Sequence, residues 1–161
     1  MRKLVQVEDA KSLLDEAKDW GVWKWLTEKK RVRQTADIAW ETFDELEKEV
    51  RSGWSDDLQK AFDELAAETT VAEGGAPAKR KYDKAKKDAA HVDPKIKAVA
   101  LKLKEADDQY YKLRMQAEDM FDEAEKRMST SMAREASQVA IDAYNLREKS
   151  VRKAEMAARA K

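Results

Sequence analysis

Apolar residues recur along this chain at alternating steps of three and four, the spacing that lines one face of an α-helix. The first run, Val7, Ala10, Leu14 and Ala17, predicts a helix over about 7–20. Gly21 then marks a stop or kink, because glycine weakens a helix interior. The second run is Trp25, Val32, Ala36, Ala39, Phe43, Leu46 and Val50. Counting Lys29 makes it a heptad with one charged interruption, over a helix near 22–52. Leu58, Phe62 and Leu65 mark a shorter helix that fades around Thr69. The strictest run is Ile96, Val99, Leu103, Ala106, Tyr110, Leu113, Ala117, Met120 and Ala124. It predicts a helix of about 35 residues, roughly 50 Å long. Met132, Ala136, Val139, Ala143, Leu146, Ser150 and Ala154 mark the last helix.

Boundary residues punctuate these runs. Gly53 stands where a C-terminal cap belongs, and Ser55 follows as an N-cap with Asp56 and Asp57 in the first turn, where carboxylates complement the helix dipole. Glu73-Gly74-Gly75-Ala76-Pro77 is a linker signal. Asp93-Pro94 combines an N-cap with a proline at the first helical position. Ser129-Thr130-Ser131 ends the fourth run and caps the last, with Glu135 spaced for a capping box on the turn of Met132.

No single amphipathic helix can bury its stripe alone, and short turns make neighbours antiparallel. The expected fold is therefore all-α: an antiparallel, four-helix-like bundle built from two long coiled-coil-like hairpins. As one helical domain over 1–161, it divides into an N-terminal helix (1–20), a first hairpin (22–70), a linker and basic connector (71–93) and a second hairpin (94–161). An elongated hairpin that dimerises through the same seams is the alternative. Phe43-Asp44-Glu45 and Phe121-Asp122-Glu123 enter the two turns alike, and Gln59 and Asp63 align downstream with Gln138 and Asp142, as a duplicated hairpin would give.

Composition agrees with long helices, since 41% of residues are charged and only 4 Gly and 2 Pro interrupt them. With no Cys, disulfides, thiolate nucleophiles and Cys-ligated zinc are excluded. Basic residues near the N-terminus are not followed by an apolar segment, and no apolar run approaches the ~18 residues of a membrane span, so a cytoplasmic protein is expected. Net charge is zero, yet charge is segregated. Residues 35–73 hold 12 acidic and 3 basic residues, whereas 79–104 hold 10 basic and 3 acidic. Such blocks select helix pairings, or turn a basic face outward towards an anionic partner.

Candidate chemistry is sparse. His91 is the sole histidine, and Asp88 shares its helix face. A di-metal bundle of paired Glu-x-x-His motifs needs a second His that this chain lacks. Gly74-Gly75 has neither the strand nor the Lys-Ser/Thr of a phosphate loop. No catalytic residue, cofactor site or metal site is therefore assigned. Trp20 and Trp23, beside Lys24, Lys29, Lys30, Arg31 and Arg33, read either as packing of the first helix or as an exposed anchor for a partner or membrane interface. Lys79, Arg80, Lys81, Lys84, Lys86 and Lys87 form a basic segment with one aromatic, Tyr82, so any anionic polymer there would be held by charge rather than stacking. Met115, Met120, Met128 and Met132 gather near the second turn as tip filling or as an adaptable surface.

The expected function is that of a non-enzymatic helical interaction or scaffold protein, partnered by another protein or by a second copy as a homodimer. One alternative is binding of an anionic polymer or surface, nucleic acid or lipid, through 79–104. Another is a small-molecule binder or enzyme with a pocket between helices.

Overall fold

The computed structural model describes the backbone of residues 2–72 and 74–159. Among them the chain forms six helices and no strand: α1 (Arg2–Ala17), α2 (Val22–Ser52), α3 (Asp56–Val71), α4 (Ala76–Asp88), α5 (Pro94–Arg127) and α6 (Thr130–Arg159). The fold is all-α and helical-bundle-like, as the apolar periodicity predicts. None of these helices is long and apolar enough to cross a membrane. The chain resolves into two compact units, residues 1–48 with 109–149 and residues 49–108 with 150–161.

The first unit is a bundle of α1, most of α2, the C-terminal part of α5 and most of α6. Its core contains Val7, Leu14, Trp25, Val32, Phe43, Tyr110, Phe121, Ala136 and Tyr144. Contacts fix the helix directions. Trp25 stacks on Phe121 with ring centroids 6.4 Å apart, and Phe43 meets Tyr110 at 6.3 Å, so α2 and α5 run antiparallel. Lys11 pairs with Glu148 and Lys18 with Gln138, so α1 and α6 also run antiparallel. Alanines at 117, 136, 140 and 143 are fully buried, and such small side chains let the helices approach closely around the aromatic rings.

The second unit packs Trp54, Leu58, Ala61, Phe62, Ala89, Val92, Ala100 and Leu103. The Trp54 indole Nε1–H donates to the Ala154 carbonyl at 3.0 Å, which satisfies its polar edge while the ring is buried. The Arg51 guanidinium lies 4.1 Å from the Phe62 ring centroid and pairs with Asp107 at 3.1 Å. The segment read as linker and basic connector contains α4, which packs along α3.

Capping residues place the helix ends. Ser55 Oγ accepts from the Leu58 amide at 3.2 Å, and Asp93 Oδ1 from the Lys95 amide at 2.8 Å. At α6 the cap is Ser129, whose Oγ accepts from the Met132 amide at 3.2 Å. The third helical position is thus Met132, and Glu135 lies one turn too far along to complete a capping box. Helix α1 ends at Ala17, before the Gly21 stop, and the chain turns over 18–21. Gly53 does not adopt the left-handed conformation of a C-terminal cap; Met128 does, at φ 50°. After α5 the Ser129 amide donates to Ala124 O at 3.0 Å and the Met128 amide to Glu125 O at 3.3 Å, the paired bonds of a Schellman motif. A methionine therefore sits where glycine is usual.

The buried stripes are rotated from the predicted seams. Leu103, Tyr110, Ala117 and Ala124 are buried as expected, but Ala100 and Phe121 are buried in place of Val99 and Met120. Asp107 and Arg114 occupy the two intervening positions on that stripe, half-buried in ion pairs with Arg51 and Asp44. On α6 the stripe runs through Ala133, Ala140 and Arg147, with Met132, Val139 and Leu146 at its edge. Gln59 bonds Asp63 at 2.8 Å and Gln138 bonds Asp142 at 2.9 Å, so the two aligned pairs make the same one-turn contact.

Candidate functional site

Three places carry polar or aromatic groups beyond what a bundle core needs: helix α4, the start of α2, and a charged layer inside the first unit.

Helix α4 begins after Gly75, held at φ 108°, with Pro77 in its first turn. Its inner face is thin, with Ala78, Tyr82 and Ala85 half-buried and no fully buried residue within the helix. Lys79, Arg80, Lys81, Lys84, Lys86 and Lys87 are all exposed. At 100° per residue they spread round every side of the helix except that inner face. None of the six forms an ion pair with a described residue, although α3 beside them carries Asp56, Asp57, Asp63, Glu64 and Glu68. Between α3 and α4 lies an open groove of about 430 Å³ whose walls bear Lys60, Asp63, Lys81, Lys84 and Asp88. The later part of the basic block differs. Lys95 and Lys102 are exposed, Lys97 is half-buried, and Lys104 is tied to Asp108.

The tryptophan cluster is split. Trp20, offered as a surface anchor, is only 7% exposed; its carbonyl accepts from Arg134 Nη2 at 2.7 Å, and the Lys24 ammonium lies 5.2 Å from its ring centroid. It is a packing residue, held by the turn between α1 and α2. Trp23, three residues on, is 83% exposed. Of the methionines near the α5–α6 turn, Met115 and Met128 are exposed, whereas Met120 and Met132 pack against the core.

The charged layer was hidden from a reading based on apolar spacing. Arg147 is 1% exposed, pairs with Glu47, and places its guanidinium 4.2 Å from the Tyr110 ring centroid. Arg114 pairs with Asp44 at 3.0 Å and lies 5.3 Å from the Trp40 ring centroid. Burial lowers the affinity of Arg114 for its proton, but Tyr110, Asp44 and Glu118 together raise it above the ordinary value. Burial likewise pushes both tyrosine phenols above their usual range, although Arg114 and Arg147 pull Tyr110 partly back. The Tyr144 hydroxyl donates to the Ala36 carbonyl at 3.0 Å. The Tyr110 hydroxyl is buried with no hydrogen-bond partner among the described residues. Charges arranged in this way resist alternative helix registers, because any slip would strand them in an apolar interior.

His91 is exposed, with Nε2 4.0 Å from Asp57 Oδ1. No group of three His, Cys, Asp or Glu side chains among the described residues is placed to hold a metal ion. Comparison with protein families, with curated proteins and with solved structures found no match to this chain.

Proposed function

We propose that this chain is a non-enzymatic helical interaction protein and that α4 is the element that engages its partner, an anionic macromolecule. One observation supports this reading above the rest: six exposed cations on one short helix, none of them paired with a described carboxylate. A surface charge left without a partner gains little from its own fold, whereas a charged partner gains from every cation it meets. Tyr82 is half-buried beneath the cations, so recognition here works through charge and not through base stacking.

The test is retention on immobilised heparin, a soluble polyanion, of the wild-type chain and of a variant carrying Arg80→Gln, Lys81→Gln, Lys84→Gln and Lys87→Gln. These side chains are exposed, so circular dichroism should report an unchanged fold. The wild type should be retained at low salt and the variant should elute early. Equal retention of both proteins, or passage of both through the column, would remove α4 as the binding element.

A further inference from the structure

We propose that the outward face of the first four turns of α2 docks on an anionic lipid surface, with Trp23 as its interfacial anchor. The residues are Trp23, Lys24, Thr27, Lys30, Arg31 and Gln34, and all six are exposed. Trp23, Thr27, Lys30, Arg31 and Gln34 follow at offsets of four, seven, eight and eleven, which places them on one helix face, with Lys24 at its margin. The one carboxylate within these turns, Glu28, lies off that face, half-buried and 3.5 Å from Arg31. Neither Lys24 nor Lys30 forms an ion pair with a described residue. The face therefore joins an indole to three cations, with no acidic residue until Asp37.

The indole identifies the occupant. Trp20, Trp25, Trp40 and Trp54 are all buried, whereas Trp23 is 83% exposed. Val22 beside it is 54% exposed, and a Cβ added at Gly21 would meet nothing within 4 Å, so the apolar tip is open to approach. An indole presents an apolar body and a polar N–H, which suits the headgroup level of a bilayer. Lysine and arginine beside it reach the phosphates of an anionic leaflet. A single nucleic-acid strand would call for successive stacking rings, where this face has one, and a duplex held by charge alone would leave the exposed indole without an apolar surface to enter. A single anchor with three cations gives reversible attachment, as expected of a surface helix that does not span the membrane. This surface is separate from α4, and the two can be disabled independently.

The experiment adds the full chain to phosphatidylcholine vesicles with and without phosphatidylglycerol. It measures co-sedimentation and the quenching of tryptophan emission by brominated phosphatidylcholine. Because four of the five indoles are buried, quenching by the lipid reports Trp23. Binding should require phosphatidylglycerol, and brominated lipid should quench a component absent from Trp23→Phe. Lys24→Gln with Lys30→Gln and Arg31→Gln should weaken binding by about a hundredfold. The α4 variant should bind vesicles as the wild type does. The proposal is overturned by no binding to phosphatidylglycerol vesicles, or by binding without Trp23 quenching. Loss of binding only in the α4 variant would overturn it too, as would capture of this face by soluble polyglutamate in preference to vesicles.

Discussion

The Arg147–Glu47 pair offers the sharpest test of how the first unit holds its register. Arg147 is a fully buried side chain on α6, its guanidinium set over Tyr110 and its partner Glu47 on α2 only 15% exposed. Arg147→Met keeps most of the buried volume but removes the charge from beside Glu47. Loss of one member of a buried ion pair costs about 3–5 kcal/mol, because the remaining charge is left in a low-dielectric interior. Glu47 retains some access to water, so the lower end, about 3 kcal/mol, is expected. Glu47→Leu alone should cost a similar amount. The double variant should recover to within about 1 kcal/mol of wild type, since replacing both charges by apolar groups is often neutral or stabilising. The assay is urea unfolding followed by far-ultraviolet circular dichroism, with midpoint and slope compared across the cycle of four proteins. A cost below about 1 kcal/mol for Arg147→Met would refute the reasoning, as would a double variant no more stable than either single one.

Other outcomes follow from the same interior and from the helix ends. Tyr110→Phe removes a buried hydroxyl that has no partner among the described residues, and should leave stability unchanged or raise it by about 1 kcal/mol; a loss larger than that in urea unfolding would show a bond that supports the fold. Because Tyr110 and Tyr144 both titrate above their unfolded value of 10.0, the unfolded chain releases protons there that the folded chain retains. Their contribution is fully present below that pH and is lost as pH rises, by about 1.4 kcal/mol per pH unit for each tyrosine, so Tyr110→Phe should halve the alkaline slope of stability. An identical slope in the variant would contradict this. Met128→Gly relieves a left-handed residue that costs about 1 kcal/mol and should raise the thermal midpoint, whereas a lower midpoint would mean that the exposed side chain makes a stabilising contact.

How much of this was legible in the sequence depends on what kind of residue filled each stripe. Helices α1, α2, α3, α5 and α6 and the caps Ser55, Asp93 and Ser129 follow from local rules that need no tertiary knowledge. The placement of Trp25 in the seam follows from the heptad and is observed. The rotation of α5 was not readable, because a search for apolar spacing steps over Asp107 and Arg114 and selects Val99, Ala106, Leu113 and Met120 instead. Both charged residues reach across to partners on α2, and only the fold shows those partners. The same holds for Arg147, whose carbon stem and stacked guanidinium fill a core position that composition alone assigns to water. At the candidate surfaces, the charge of the basic segment was legible, but its exposure and its packing on α3 rest on contacts distant in sequence. Trp20 and Trp23 could not be told apart from the sequence, because the bend at 18–21 decides which indole turns inward.

The most direct test of the proposed function is the salt dependence of polyanion binding, measured by fluorescence anisotropy of a labelled nucleic-acid duplex. If the exposed cations of α4 are the binding element, the logarithm of the affinity should fall linearly with the logarithm of salt concentration. Its slope should be about −4 to −5, reflecting four to six contacts at about 0.9 each. The variant with Arg80, Lys81, Lys84 and Lys87 changed to Gln should lose most of that slope together with the binding. A wild-type slope near zero, or a slope that the four substitutions leave unchanged, would contradict the account.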